Sequence, residues 1–69
     1  MRLTWEQLGR PTREGVYPVA YGGRTIYVTV SERLIAAAAE RGGNPTVRLS
    51  AKHSSVKDDE NYYTALRFV

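Results

Sequence analysis

Sixty-nine residues make one small domain, because a chain of this length buries only about 60% of the surface that it exposes when unfolded. With 42% hydrophobic residues, 25% charged and three Pro, it has the composition of a folded soluble domain, not of a disordered tail. The absence of Cys removes disulfides, thiol nucleophiles and thiolate zinc sites together, and ten bases against seven acids, a net charge of +3, lean mildly towards anionic partners.

The longest apolar run without charge, Leu34 to Ala39, is far short of the roughly 20 residues that cross a bilayer. Residues Met1 to Glu6 lack the apolar centre of a signal peptide. A cytoplasmic location and no membrane association are therefore expected. Eight of the ten bases are Arg, a bias that follows either from a GC-rich genome or from the use of the guanidinium fork on phosphates and carboxylates.

In chain order, Leu3 to Gly9 has the marks of a short helical turn. Thr4 caps it, Gln7 stands three residues on as a capping box requires, Gly9 ends it and Pro11 prevents continuation. Two β-rich runs follow, Val16 to Tyr21 and Arg24 to Val30, joined by Gly22-Gly23. That pattern is a hairpin with a two-residue turn, since both turn positions need positive φ. Pairing outward from the turn sets Tyr21 against Arg24, Val19 against Ile26 and Tyr17 against Val28, with the larger apolar groups on one face.

Ser31 is an N-cap, and Glu32 to Arg41 forms a helix that ends at Gly42-Gly43, with Glu32 and Arg41 placed to suit its dipole. After Asn44-Pro45, residues Thr46 to Lys52 alternate as a half-exposed strand, Val47, Leu49 and Ala51 on one side and Arg48, Ser50 and Lys52 on the other. A polar loop leads to a last strand, Tyr62 to Val69, which is expected to turn Tyr62, Thr64, Leu66 and Phe68 inward.

The fold expected is thus ββαββ within a single domain, 1–69. It has a four-stranded antiparallel sheet with one helix on one face and a short N-terminal helical turn. Pro18 falls opposite Tyr27 at a position that needs no ladder hydrogen bond, so the first strand is a sheet edge. The fourth strand then slots between the second and third, in the order 1-2-4-3.

Little here carries chemistry. His53 is the single histidine, with no second imidazole or thiolate to complete a metal site. His53-Ser54-Ser55 sets a base beside hydroxyls without the convergent geometry of a triad. Asp58-Asp59-Glu60 lacks the alternation of a calcium loop, and Gly22-Gly23 is a turn with no helix N-terminus after it to cradle phosphate. No catalytic role, metal or cofactor is implied.

The sheet face away from the helix is the surface of interest. It is expected to show Tyr27 and Tyr63 on adjacent central strands, flanked by Arg48, Lys52 and Arg67. Tyr and Arg are residues enriched at protein-interface hot spots, and rings beside cations also suit a single-stranded nucleic acid. Tyr, Thr and Arg equally favour solvent-facing strand positions simply because they cover a pleated surface. The function expected is a non-enzymatic binding module that occupies a protein partner, with single-stranded DNA or RNA as the alternative. Self-association through the open face or the edge strand is the other possibility for these surfaces.

In size and lack of chemistry the chain is similar in kind to the small inhibitors that phages and mobile elements direct at a host machine, anti-CRISPR proteins among them. Thr25 to Leu34 resembles the strand-to-helix opening of ribbon-helix-helix repressors. Those proteins have a second apolar helix where this chain has alternating strand segments. The aromatic open sheet is shared with RNA-recognition motifs, whose aromatic signature the chain lacks.

Overall fold

A computed structural model describes residues 1–50 and 61–69. The elements are β1 (Arg2–Thr4), β2 (Gly15–Tyr21), β3 (Arg24–Val30), α1 (Glu32–Arg41), β4 (Thr46–Leu49) and β5 (Tyr62–Phe68). The strands form one five-stranded sheet in the order β1-β4-β5-β3-β2, a small α+β fold with a single helix.

The hairpin forms in the register that the Gly-Gly turn dictates. Tyr21 pairs with Arg24, Val19 with Ile26, Pro18 with Tyr27 and Tyr17 with Val28, and both glycines adopt the positive φ that such a turn demands, 59° and 81°. Because Pro18 cannot donate to a further strand, β2 lies at the sheet edge. Tyr17 folds back along its own strand to donate its hydroxyl to the Arg13 carbonyl.

The four expected strands keep their expected neighbours, but two features of the sheet differ. First, it is mixed: β3 and β5 run parallel, whereas β2 with β3, β4 with β5 and β1 with β4 are antiparallel. β4 consequently runs opposite to β3 and begins at the sheet end where β3 finishes. One strand width separates β3 from β5, so about 10 Å separates β3 from β4, and a ten-residue helix about 15 Å long is enough to carry the chain sideways over β5, against which it packs. An all-antiparallel sheet would have required the helix to return along the strand direction.

Second, a fifth strand exists. Arg2–Thr4 pairs with β4, Leu3 opposite Val47, before the helical turn begins. The turn itself is built as its residues imply. The Thr4 N–H donates to Gln7 Oε1 at 2.8 Å while the Gln7 N–H donates to Thr4 Oγ1 at 3.2 Å, the two halves of a capping box. At its other end the Gly9 N–H reaches the Glu6 carbonyl at 2.9 Å and the Arg10 N–H the Trp5 carbonyl at 3.1 Å, a Schellman arrangement that needs Gly9 at φ 89°.

This turn is fastened across the molecule. The Trp5 N–H donates to the Pro45 carbonyl and the Glu6 N–H to Asn44 Oδ1, each at 2.8 Å. Trp5 also meets Phe68 edge-on, with ring centroids 5.5 Å apart, and the Arg41 guanidinium lies 5.3 Å from the Phe68 ring centre.

Helix α1 starts at Ser31, whose side chain accepts from the Leu34 N–H, and stops where the Gly42 N–H returns to the Ala38 carbonyl. Leu34 and Ala38 are its buried positions, and the alanines around them allow close approach to the sheet. The single core joins these to Leu3, Trp5 and Leu8 from the N-terminal segment, Val19, Ile26, Val28 and Val30 from the hairpin, Val47 and Leu49 from β4, and Tyr63 and Ala65 from β5. Burying each large aliphatic contributes roughly 1.5–3 kcal/mol, and all of it lies on one face of the sheet.

Candidate functional site

The opposite face is open, and its composition depends on how β5 is set. Tyr63 and Ala65 point into the core, while Tyr62 is half-buried and Thr64 and Leu66 are turned outward. This inverts the expected facing of Tyr62 to Leu66, and Phe68 alone keeps its inward position.

The reason is a β-bulge. In the β4-β5 ladder Leu49 pairs with Ala65 and Arg48 with Arg67, a register shift that leaves Leu66 without an opposite number. Leu66 and Arg67 therefore both face solvent, and Phe68 returns to the core side opposite Val47. A strict period of two, counted back from Phe68, places Arg67 correctly but puts Tyr62 to Leu66 on the wrong face.

Tyr63, expected on the open face, is accordingly a core residue at 9% exposure. Its hydroxyl is reached by Arg24 Nη2 at 3.4 Å. Tyr27 does belong to the open face, half-buried, and its neighbour there is Tyr62. In the parallel β3-β5 pair Tyr27 lies beside Tyr62 and Thr29 beside Thr64. The two rings stack on each other with centroids 5.1 Å apart and planes 29° from parallel.

Arg48 and Arg67 are on this face as expected and are directly opposed in register. Lys52 lies outside the described residues, as do His53 and the acidic run Asp58 to Glu60. The sequence reading missed Arg2, which pairs with Arg48 from the other side. Arg2, Arg48 and Arg67 thus form an exposed row straight across three strands, about 10 Å from end to end at ordinary strand spacing. The sequence signal for Arg2 was the polar-apolar-polar alternation of Arg2, Leu3 and Thr4, three residues that the cap at Thr4 absorbs when the chain is read for helices.

No carboxylate among the described residues bonds to any of these three guanidinium groups. The described acids, Glu6, Glu14, Glu32 and Glu40, are exposed elsewhere on the surface. The row and the tyrosine stack are well separated, since Arg67 is five residues along β5 from Tyr62, about 16 Å at strand rise. Between them the face shows Thr64 and Leu66, the latter 47% exposed.

On the helix side an open cleft of about 380 Å³ lies among Trp5, Arg10, Pro11, Ile35, Ala38 and Gly42. Among the described residues Arg10 is the one charged group on its wall, and no acid–base pair lines it. Among the described residues no three of His, Asp or Glu come together as a metal site would need. No described helix is long and apolar enough to cross a membrane. Compared with protein families, with curated proteins and with solved structures, the chain matches none.

Proposed function

We propose that this chain is a non-enzymatic binding module that acts by occupying a protein partner with the open face of its sheet, in the manner of small inhibitors that block a larger machine. The observation that supports this is the asymmetry of the sheet. Among the described residues every large buried aliphatic lies on the helix side, leaving the other side to a cationic row that no described carboxylate bonds, exposed aliphatics and threonines. Leu66 and Val16 supply apolar contact area, and Arg supplies the planar donor that protein interfaces favour.

The alternative, a single-stranded nucleic acid, draws on some of the same residues but fits the geometry less well. A stacking platform presents its rings flat to successive bases with cations interleaved along the strand. Here Tyr27 and Tyr62 are turned on each other, and the cations stand at the other end of β5. A net charge of +3 is also small for a protein that must hold phosphates at physiological salt.

Affinity isolation from host lysate with wild type and with Thr64→Asp plus Leu66→Asp tests the reading. Both positions are exposed, so the fold survives and the partner band disappears. Undiminished recovery, with loss instead on substitution of the helix-side cleft at Ile35, would move the interface to the other face. Titration of labelled oligothymidylate against salt tests the alternative, for which a log-log slope of a few units is expected. Light scattering at the same concentrations tests whether the face meets a second copy.

A further inference from the structure

We infer that the Arg2-Arg48-Arg67 row is a carboxylate-reading site, and that the segment it takes is an acidic stretch of a partner protein, rich in Asp or Glu. This deepens the reading above and rests on it. Opposed like charges on neighbouring strands destabilise a sheet, yet the chain places Arg opposite Arg twice in succession. Thr, which occupies the next open-face pair, Thr4 opposite Thr46, would avoid the repulsion at no loss of strand preference.

Edge protection does not account for the row. Charges on an outer strand discourage strand addition, which suits Arg2 on β1, but β4 and β5 are interior strands with both neighbours in place. The bulge at Leu66 is what brings Arg67 onto this face and into line with Arg48. The row is therefore held by strand register rather than by chance rotamers.

Three guanidinium forks on backbone positions spanning about 10 Å match two or three carboxylates of an extended or helical acidic segment, each taken in a bidentate pair. Carboxylates are favoured over phosphates by what surrounds the row. Leu66, adjacent to Arg67 across the bulge and 47% exposed, puts apolar surface at its margin. An acidic peptide with aliphatic neighbours satisfies both. Among the described residues no ring flanks the row on this face for a base to stack on, because the tyrosine pair is at the far end of β5.

The test is fluorescence anisotropy with labelled deca-glutamate, and with an oligothymidylate carrying the same number of phosphates, at low and high salt. Deca-glutamate is expected to bind, and Arg48→Gln plus Arg67→Gln to weaken it about ten-fold or more, the effect of losing two charge-assisted contacts. Arg33→Gln plus Arg41→Gln, the same loss of charge from the helix, is expected to leave affinity within about two-fold, as charges remote from a contact do. The row variants lose a repulsion, so unfolding does not confound the result.

Equal weakening by the row and helix variants would overturn the site in favour of general electrostatics. Tighter binding of oligothymidylate, lost with the row, would make it a phosphate site instead. If Leu66→Asp abolishes partner recovery while the row variants do not, the row fails and the face stands. If neither set has any effect, both fail.

Discussion

Replacing Arg48 by Glu should make the protein more stable, an unusual expectation for a substitution in an interior strand. Arg48 stands between Arg2 and Arg67. Directly opposed Cβ atoms are about 5 Å apart, and flexible guanidinium groups spread to roughly 7 Å, where two like charges in water repel by about 0.6 kcal/mol and by less than half of that at physiological salt. Two neighbours thus put about 0.5 kcal/mol of repulsion on the central Arg. Glu removes it and adds two exposed opposite-charge pairs, each worth a few tenths of a kcal/mol after the entropy of ordering the side chains. The sum is about 1 kcal/mol, which for a domain of this size raises Tm by roughly 4–8 °C. Arg48→Gln, which removes repulsion without adding attraction, should give about half of the gain. Thermal melts followed by circular dichroism at low salt and at about 1 M, where the screening length falls to about 3 Å, read both the gain and its electrostatic origin. A Tm at or below wild type at low salt, or a gain that salt does not reduce, would show that the three side chains do not oppose one another.

Three further outcomes follow from the same register and contacts. Tyr63→Ala opens a core cavity and should lower stability by about 3 kcal/mol or more, whereas Tyr62→Ala on the open face costs about 1 kcal/mol from the lost ring pair; urea titrations of the two variants distinguish a buried from a surface tyrosine, and equal effects would contradict the facing of β5. Gly23→Ala should destabilise by about 1–2 kcal/mol, because Ala is forced to a φ of 81°, with no change in the slope of the denaturation curve. Asn44→Ala removes the acceptor for the Glu6 N–H and should cost about 1 kcal/mol, with faster amide exchange at Glu6 as the local sign.

What could be read in the sequence was whatever residues a few positions apart decide. The Gly22-Gly23 turn sets its own hairpin register, Thr4 and Gln7 cap one another, and Ser31 and Gly42 bound the helix without help from the rest of the chain. Pro18 goes further, because a missing N–H excludes a neighbour on that side and so orders the sheet. The direction of β4 is a different kind of quantity. It depends on whether the helix runs along the strands or across them, which side-chain packing over β5 decides and no local pattern encodes. Arg2 was hidden for a related reason: a three-residue strand becomes visible only through its partner, and Val47 is 44 positions away from Leu3.

The facing of β5 was hidden by a pattern compatible with either answer, since Tyr62, Thr64 and Leu66 look as apolar as Tyr63, Ala65 and Phe68. The bulge is the physical solution to a conflict within that strand. Were β5 regular and in phase with Tyr63 and Ala65, Arg67 would enter the core beneath the helix and Phe68 would lose Trp5, an exchange no small domain survives. One surplus residue reverses the phase at the point where it must be reversed. A counterintuitive prediction results. Deleting Leu66 leaves Tyr63, Ala65 and Phe68 inward and Thr64 and Arg67 outward in unbroken alternation, and lets Leu49 with Ala65, Arg48 with Arg67 and Val47 with Phe68 pair as a regular ladder. The deletion should therefore melt cooperatively, with a stability change of about 1–2 kcal/mol from the lost twist and shortened strand. Deleting Thr29 from β3, which has no bulge to absorb the slip, sends Val30 outward and should abolish the folded state. If the Leu66 deletion unfolds as completely as the Thr29 deletion, the bulge does not set the facing of β5, and the alignment of Arg67 with Arg48 must have another origin.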